Sequence, residues 1–125
     1  MNVIDSSGWL EYFTDGANAD TFKPIIEDES NLIIPTVCLY EVFKITLARA
    51  GEDEAVRVAG SMSFGQIVDF DREVALAAAS ISMQHKLAMA DSVIYAIAQM
   101  RNATLWTQDA HFKNLPGVQY NEKKA

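Results

Sequence analysis

Cysteine is nearly absent. The one thiol in 125 residues, Cys38, has no internal partner, so no disulfide framework holds the chain and a reducing compartment is the simpler expectation. Basic residues are scarce as well: 10 against 17 acidic ones, a net charge of −7 and a pI near 4.6. That balance excludes binding of a polyanion by bulk charge, and any contact with nucleic acid must be local or bridged by cations. There is no glycine-rich phosphate loop, which argues against nucleoside triphosphate chemistry. No apolar run approaches the ~18 residues of a membrane span, and the opening Met1-Asn2-Val3-Ile4-Asp5 lacks the basic-then-apolar order of a signal peptide. Repeats, linkers and low-complexity stretches are missing too. A single cytoplasmic domain over residues 1–125, with no membrane contact, is the expectation.

What is present is globular in balance, half hydrophobic and 22% charged. Strand-like and helix-like segments alternate along it. Val3-Ile4 ends a short apolar run; Ser6 and Ser7 can cap a helix whose stripe is Trp9, Leu10 and Phe13, stopped at Asp15-Gly16. Phe22, Ile25 and Ile26 suggest a second short helix that Pro24 limits or kinks. Leu32-Ile33-Ile34 reads as a buried strand, and Thr36 can cap a long helix through Ala50 that Gly51 closes. A polar-faced helix from about Glu52, a strand from Gln66 to Phe70 and a helix from Asp71 to about Lys86 follow. The chain then gives a helix from roughly Asp91 to Arg101, a strand from Ala103 to Thr107, and a fifth strand at Val118-Gln119-Tyr120. This alternation predicts an α/β fold: a parallel sheet of four or five strands with helices on both faces.

Four acids stand out on that layout. Asp5 and Asp109 lie just past the carboxyl ends of the first and fourth strands, while Glu41 and Asp91 lie in the early turns of two helices. Helices run opposite to strands in such a sheet, so all four share the edge where open α/β sheets place ligands. Each has a plainer reading. Asp5 and Asp91 can be helix caps, Asp109 can be a turn residue, and Glu41 can pair with Lys44 at i,i+3. Against these, Glu41 sits among Val37-Cys38-Leu39-Tyr40 and Val42-Phe43, and Leu87 through Met100 carries no charge other than Asp91. Gathered carboxylates raise one another's pKa unless a cation neutralises them. Oxygen donors suit Mg²⁺ or Mn²⁺, and no Cys/His set has zinc spacing. Setting the four aside leaves 13 acids against 10 bases, a net −3. A hard cation there could activate water against a phosphodiester.

The segments Val3-Ile4-Asp5-Ser6-Ser7, Tyr40-Glu41-Val42, Leu87-Ala88-Met89-Ala90-Asp91-Ser92-Val93-Ile94 and Leu105-Trp106-Thr107-Gln108-Asp109-Ala110-His111-Phe112 together resemble the PIN-domain nucleases. In size and coverage the chain is most similar to VapC-type toxins of toxin–antitoxin pairs. The resemblance implies a Mg²⁺- or Mn²⁺-dependent endoribonuclease acting on structured RNA such as transfer or ribosomal RNA, a homodimer, and a cognate antitoxin that covers the active edge. By the same resemblance Asp5 and Asp91 are the principal metal ligands, with Glu41 and Asp109 the other two acids. Thr107 matches the hydroxyl residue two before the last acid, and Ser7 is a supporting residue near Asp5. The departure from the family is the low pI.

The remaining residues read more plainly. His85 and His111 lack the partners of a catalytic base and read as surface or capping residues. Cys38 reads as a core filler, Met83, Met89 and Met100 as core or interface packing, and Trp9, Tyr12 and Phe13 as core rather than a partner patch. Lys44, Arg49, Lys86 and Lys113 are solvated charges or phosphate contacts. Two other functions remain open: a receiver-like signalling domain, with Asp69 and Asp71 beside the third strand, and a non-catalytic PIN-like binding module. A haloacid-dehalogenase-type phosphatase would need an acid at position 7, which is Ser7.

Overall fold

The computed structural model describes residues 1–124. Its strands are β1 (Asn2–Ile4), β2 (Leu32–Pro35), β3 (Gln66–Val68), β4 (Thr104–Thr107) and β5 (Val118–Tyr120). All pair in parallel in the order β3-β2-β1-β4-β5. Six α-helices connect them: α1 (Ser6–Phe13), α2 (Ala19–Glu27), α3 (Thr36–Ala50), α4 (Glu52–Ser61), α5 (Arg72–His85) and α6 (Met89–Met100). The sheet grows outward from β1 to β3, then the chain crosses back to lay β4 on the other side of β1. α1 packs on α2 and α3, α3 on α4, and α5 on α6. Right-handed crossovers in this strand order give that grouping, with α1 to α4 on one face and α5 and α6 on the other. The expected α/β class, five strands and two covered faces are all present.

The core explains why the strands are short and apolar. Val3, Ile4, Ile33, Ile34 and Leu105 are each at most 1% exposed, and full burial of such side chains contributes roughly 1.5–3 kcal/mol apiece. Helix α6 is buried without interruption from Ser92 to Ala98, which accounts for the charge-free run around it. Trp9 is buried and stacks on Phe13 at 5.8 Å, so the aromatic trio of α1 is packing, as expected. Cys38 is fully buried, and that burial pushes its thiol pKa up. The core reading of the methionines fails: Met83, Met89 and Met100 are 83%, 69% and 44% exposed in the single chain.

Several local signals resolve differently from the sequence reading. Of the candidate caps for α1, Asp5 serves and Ser6 and Ser7 do not. Thr36 is the first residue of α3 instead of its cap, and its hydroxyl accepts from the Phe70 N–H at 3.3 Å. Pro24 sits inside α2, which continues through it to Glu27. β3 ends at Val68, two residues earlier than expected, and α6 starts at Met89, two residues before Asp91.

Candidate active site

The topology fixes where a ligand can sit. β1 has β2 on one side and β4 on the other, and the chain leaves these neighbours in opposite directions. The crevice at their carboxyl ends is the switch point of the sheet, the place where loops diverge and leave room for a ligand. Asp5 follows β1 directly, and Asp109 lies two residues past β4.

Asp5 is the anchor of this edge. It is 2% exposed. Its Oδ1 accepts from the Gly8 N–H at 3.0 Å, which is the cap bond of α1. The Ser7 hydroxyl donates to both carboxylate oxygens at 2.9 Å, and the Thr107 hydroxyl donates to Oδ2 at 2.7 Å. Gly8 is needed for this approach, because a Cβ there would lie 2.7 Å from Ile4 Cγ2 and 3.2 Å from the Phe22 ring. The cap reading of Asp5 is therefore correct, and the same carboxylate stands at the switch-point edge. Burial outweighs the three donors, and with the charge of Asp109 nearby the carboxyl is pushed up from 3.8 to about 7.

The other acids arrive from three directions. Asp91, third residue of α6, makes no cap bond, so the capping explanation fails for it. Burial, followed by the charge of Asp109, raises its pKa; His111 lowers it and Glu41 raises it again. Asp109 opens a 3-10 turn (Ala110–Phe112) by accepting from the His111 N–H at 2.9 Å, as the turn reading requires. Its own N–H donates to Thr107 Oγ1 at 2.9 Å. A single threonine hydroxyl thus links Asp5 to the Asp109 backbone. Glu41, in the second turn of α3, accepts from the Ser6 hydroxyl at 2.6 Å. The expected Glu41–Lys44 pair is absent among the described residues, and Lys44 lies over the Tyr40 ring instead.

His111 is the residue that sequence reasoning assigned to the surface. It is exposed, yet its Nδ1 lies 3.4 Å from Asp91 Oδ2 and 3.3 Å from Asp109 Oδ1. Ligand atoms of Asp91, Asp109 and His111 all fall within 4.8 Å of one another. The available signal was its position two residues after an acid at a strand end, a spacing that a tight turn folds back on itself. Ser6 was likewise read only as a cap, when it orients Glu41. Two carboxylates and an imidazole at this separation, with open solvent for water ligands, fit a hard divalent cation. Asp5 and Glu41 lie outside that closest group but act on it through charge.

The receiver-like alternative fails on topology. Asp69 follows β3, the outer strand, with β2 between it and β1. A phosphoacceptor there could not share a metal with Asp5.

The arrangement defines a class first: a switch-point α/β domain with an acidic, metal-compatible edge. The chain belongs to the PIN domain family, whose model matches residues 3–118. Solved structures share the fold. A toxin–antitoxin complex from Klebsiella pneumoniae superposes with a TM-score of 0.80 at 19% identity, covering 99% of this chain and 100% of that one. The sarcin-ricin loop cleaving toxin VapC20 of Mycobacterium tuberculosis gives 0.76 at 15% identity, covering 94% and 97%. DNA-bound VapBC from Salmonella typhimurium gives 0.73 at 16% identity, covering 97% and 96%. No curated protein matches the sequence.

Proposed function

We propose that this chain is a divalent-metal-dependent endoribonuclease, the toxin of a toxin–antitoxin pair, with Asp5, Glu41, Asp91 and Asp109 as its catalytic acids. The observation that carries the reading is the meeting of Asp91, Asp109 and His111 within 4.8 Å beside a buried Asp5 at the sheet's switch point. Family membership and structural neighbours that include a sarcin-ricin loop cleaving toxin and toxin–antitoxin complexes support the same direction. Transfer or ribosomal RNA is the substrate class, a cognate antitoxin the regulating partner, and a homodimer the assembly.

Asp91 and Asp109 would hold the cation, Mg²⁺ or Mn²⁺, with Asp5 and Glu41 completing its surroundings directly or through water. Such a cation supplies a hydroxide-generating Lewis acid and neutralises charge on a phosphodiester. The chain's own residues do the positioning. Thr107, Ser7 and the Gly8 N–H fix both oxygens of Asp5, and Ser6 fixes Glu41, so neither acid must reorganise on substrate arrival. His111 places its Nδ1 within 3.4 Å of carboxylate oxygens of both Asp91 and Asp109. The experiment is incubation of purified protein with structured RNA in Mg²⁺, in Mn²⁺ and in EDTA, using wild type, Asp91→Asn and Asp109→Asn. Cleavage that EDTA stops and that falls at least ~100-fold in each variant supports the assignment. Cleavage that persists in EDTA, or in either variant, rejects it.

A further inference from the structure

A second cavity adjoins the acid edge. It is about 190 Å³ in volume, room for roughly six water molecules. Ser7 and Gln108 form its wall on the active-site side, with Thr14, Arg49 and Lys123 around it. Ser7 is the same residue that donates to Asp5, and Gln108 lies between Thr107 and Asp109. The cavity therefore shares Ser7 with the hydrogen bonds of Asp5, and Gln108 with the segment that leads to Asp109.

Three elements build it, held by one buried side chain. After β5 the backbone N–H of Asn121 donates to Thr107 O at 2.9 Å, so the C-terminal segment turns along the carboxyl edge of β4. Asn18 is 2% exposed, and its Nδ2 donates to both Gln108 Oε1 and Glu122 O at 3.0 Å. These bonds tie the C-terminal segment to the α1–α2 turn and bring Lys123 to the cavity opposite Arg49 at the end of α3. Asn18 also fixes the polarity of Gln108: with Oε1 taken, the free end of the amide is the donor Nε2. One acid, Glu11, also lines the cavity; its Oε2 accepts from the Asn18 N–H at 2.9 Å, and its charge leaves the lining with two cations against one carboxylate. Among the described residues neither Arg49 nor Lys123 forms an ion pair.

We propose that this cavity is a phosphate subsite for the RNA backbone flanking the scissile bond, with Arg49 and Lys123 as the charge contacts and Gln108 Nε2 as a neutral donor. Two cations without ion-pair partners and an amide whose Nε2 makes no protein hydrogen bond among the described residues match a phosphodiester, whose free oxygens accept only. The Ser7 and Thr14 hydroxyls already donate to Asp5 and to Leu10 O and add no donor. In a chain of net charge −7 a local cationic site is what nucleic-acid binding requires. Asn18 is a positioning residue, acting through Gln108 and the C-terminal segment. The inference rests on the ribonuclease reading and names how the substrate is held beyond the metal.

The test uses the full chain and a fluorescent single-stranded RNA decamer, with binding followed by anisotropy in an Asp91→Asn background across a salt series. Removing both charges, Arg49→Gln with Lys123→Gln, should weaken binding about 10-fold and lower the slope of log affinity against log salt by about 1.4, the loss of two backbone contacts on a single strand. Gln108→Glu keeps the acceptor for Asn18 and reverses the donor, and should weaken binding at least as much. In otherwise wild-type protein, the Arg49/Lys123 double change should raise KM and leave kcat within about two-fold. Lys23→Gln with Arg101→Gln, both exposed and outside the cavity, should change neither slope nor KM. An unchanged slope in the Arg49/Lys123 variant, or unchanged binding in Gln108→Glu, while wild type still cleaves RNA, overturns the subsite alone. Failure of wild type to bind or cleave RNA overturns the ribonuclease reading and the subsite with it.

Discussion

Replacing Asp5 by asparagine should make the metal-free protein more stable at neutral pH and above, an unusual result for a buried, triply hydrogen-bonded residue. Burial raises the Asp5 pKa from 3.8 to about 7. A carboxyl raised in the folded state contributes its stability fully below the unfolded pKa, and that contribution is lost as pH rises through the folded one. Linkage gives a loss of about 4 kcal/mol between pH 3.5 and pH 8 from this one group. Asparagine removes the titration and keeps an oxygen for the Gly8 N–H. It places an amide where the Thr107 hydroxyl now donates, at a cost of about 1–2 kcal/mol. The variant should thus be less stable than wild type by about 1–2 kcal/mol at pH 4, and more stable by about 2–3 kcal/mol at pH 8. Urea unfolding in EDTA at pH 4, 6 and 8 reads the difference directly. A wild-type-minus-variant difference that stays flat with pH would refute the claim that Asp5 is held in a desolvated site.

Thr107→Val removes the hydroxyl shared by Asp5 and the Asp109 N–H, and should cost about 1–3 kcal/mol at pH 8 in chemical denaturation. Asn18→Ala strands the buried Gln108 oxygen and frees the C-terminal segment, and should cost about 1–3 kcal/mol by the same assay. Mg²⁺ at 100 times its Kd should stabilise wild type by about 2.7 kcal/mol, seen as a raised Tm, and should stabilise Asp91→Asn much less.

The acidic edge was legible in the sequence because it follows from topology. Once strands and helices alternate, residues after β1 and β4 and at the starts of α3 and α6 must share one side of the sheet. The burial of α6 was equally legible in its charge-free run. What escaped was geometry finer than an element. The turn after Asp109 folds His111 back onto two carboxylates, and no periodicity reports a three-residue turn. Ser6 faces Glu41 across 35 positions of sequence, a pairing that only the packing of α1 on α3 creates. Helix starts shifted because backbone geometry at Pro35 and Ala88 begins α3 and α6 without a side-chain cap. The core reading of Met83, Met89 and Met100 failed for a different reason: apolar character predicts burial only on average.

The central claim is that acids from four separate segments converge on one cation. Mn²⁺ titration of isotope-labelled protein, followed by paramagnetic broadening of assigned resonances, tests it most directly. Broadening should begin at Asp5, Glu41, Asp91, Asp109 and His111 together and be reversed by excess Mg²⁺. Broadening centred instead on the acidic first turn of α4, Glu52 to Glu54, or spread evenly over the surface acids, would contradict the account.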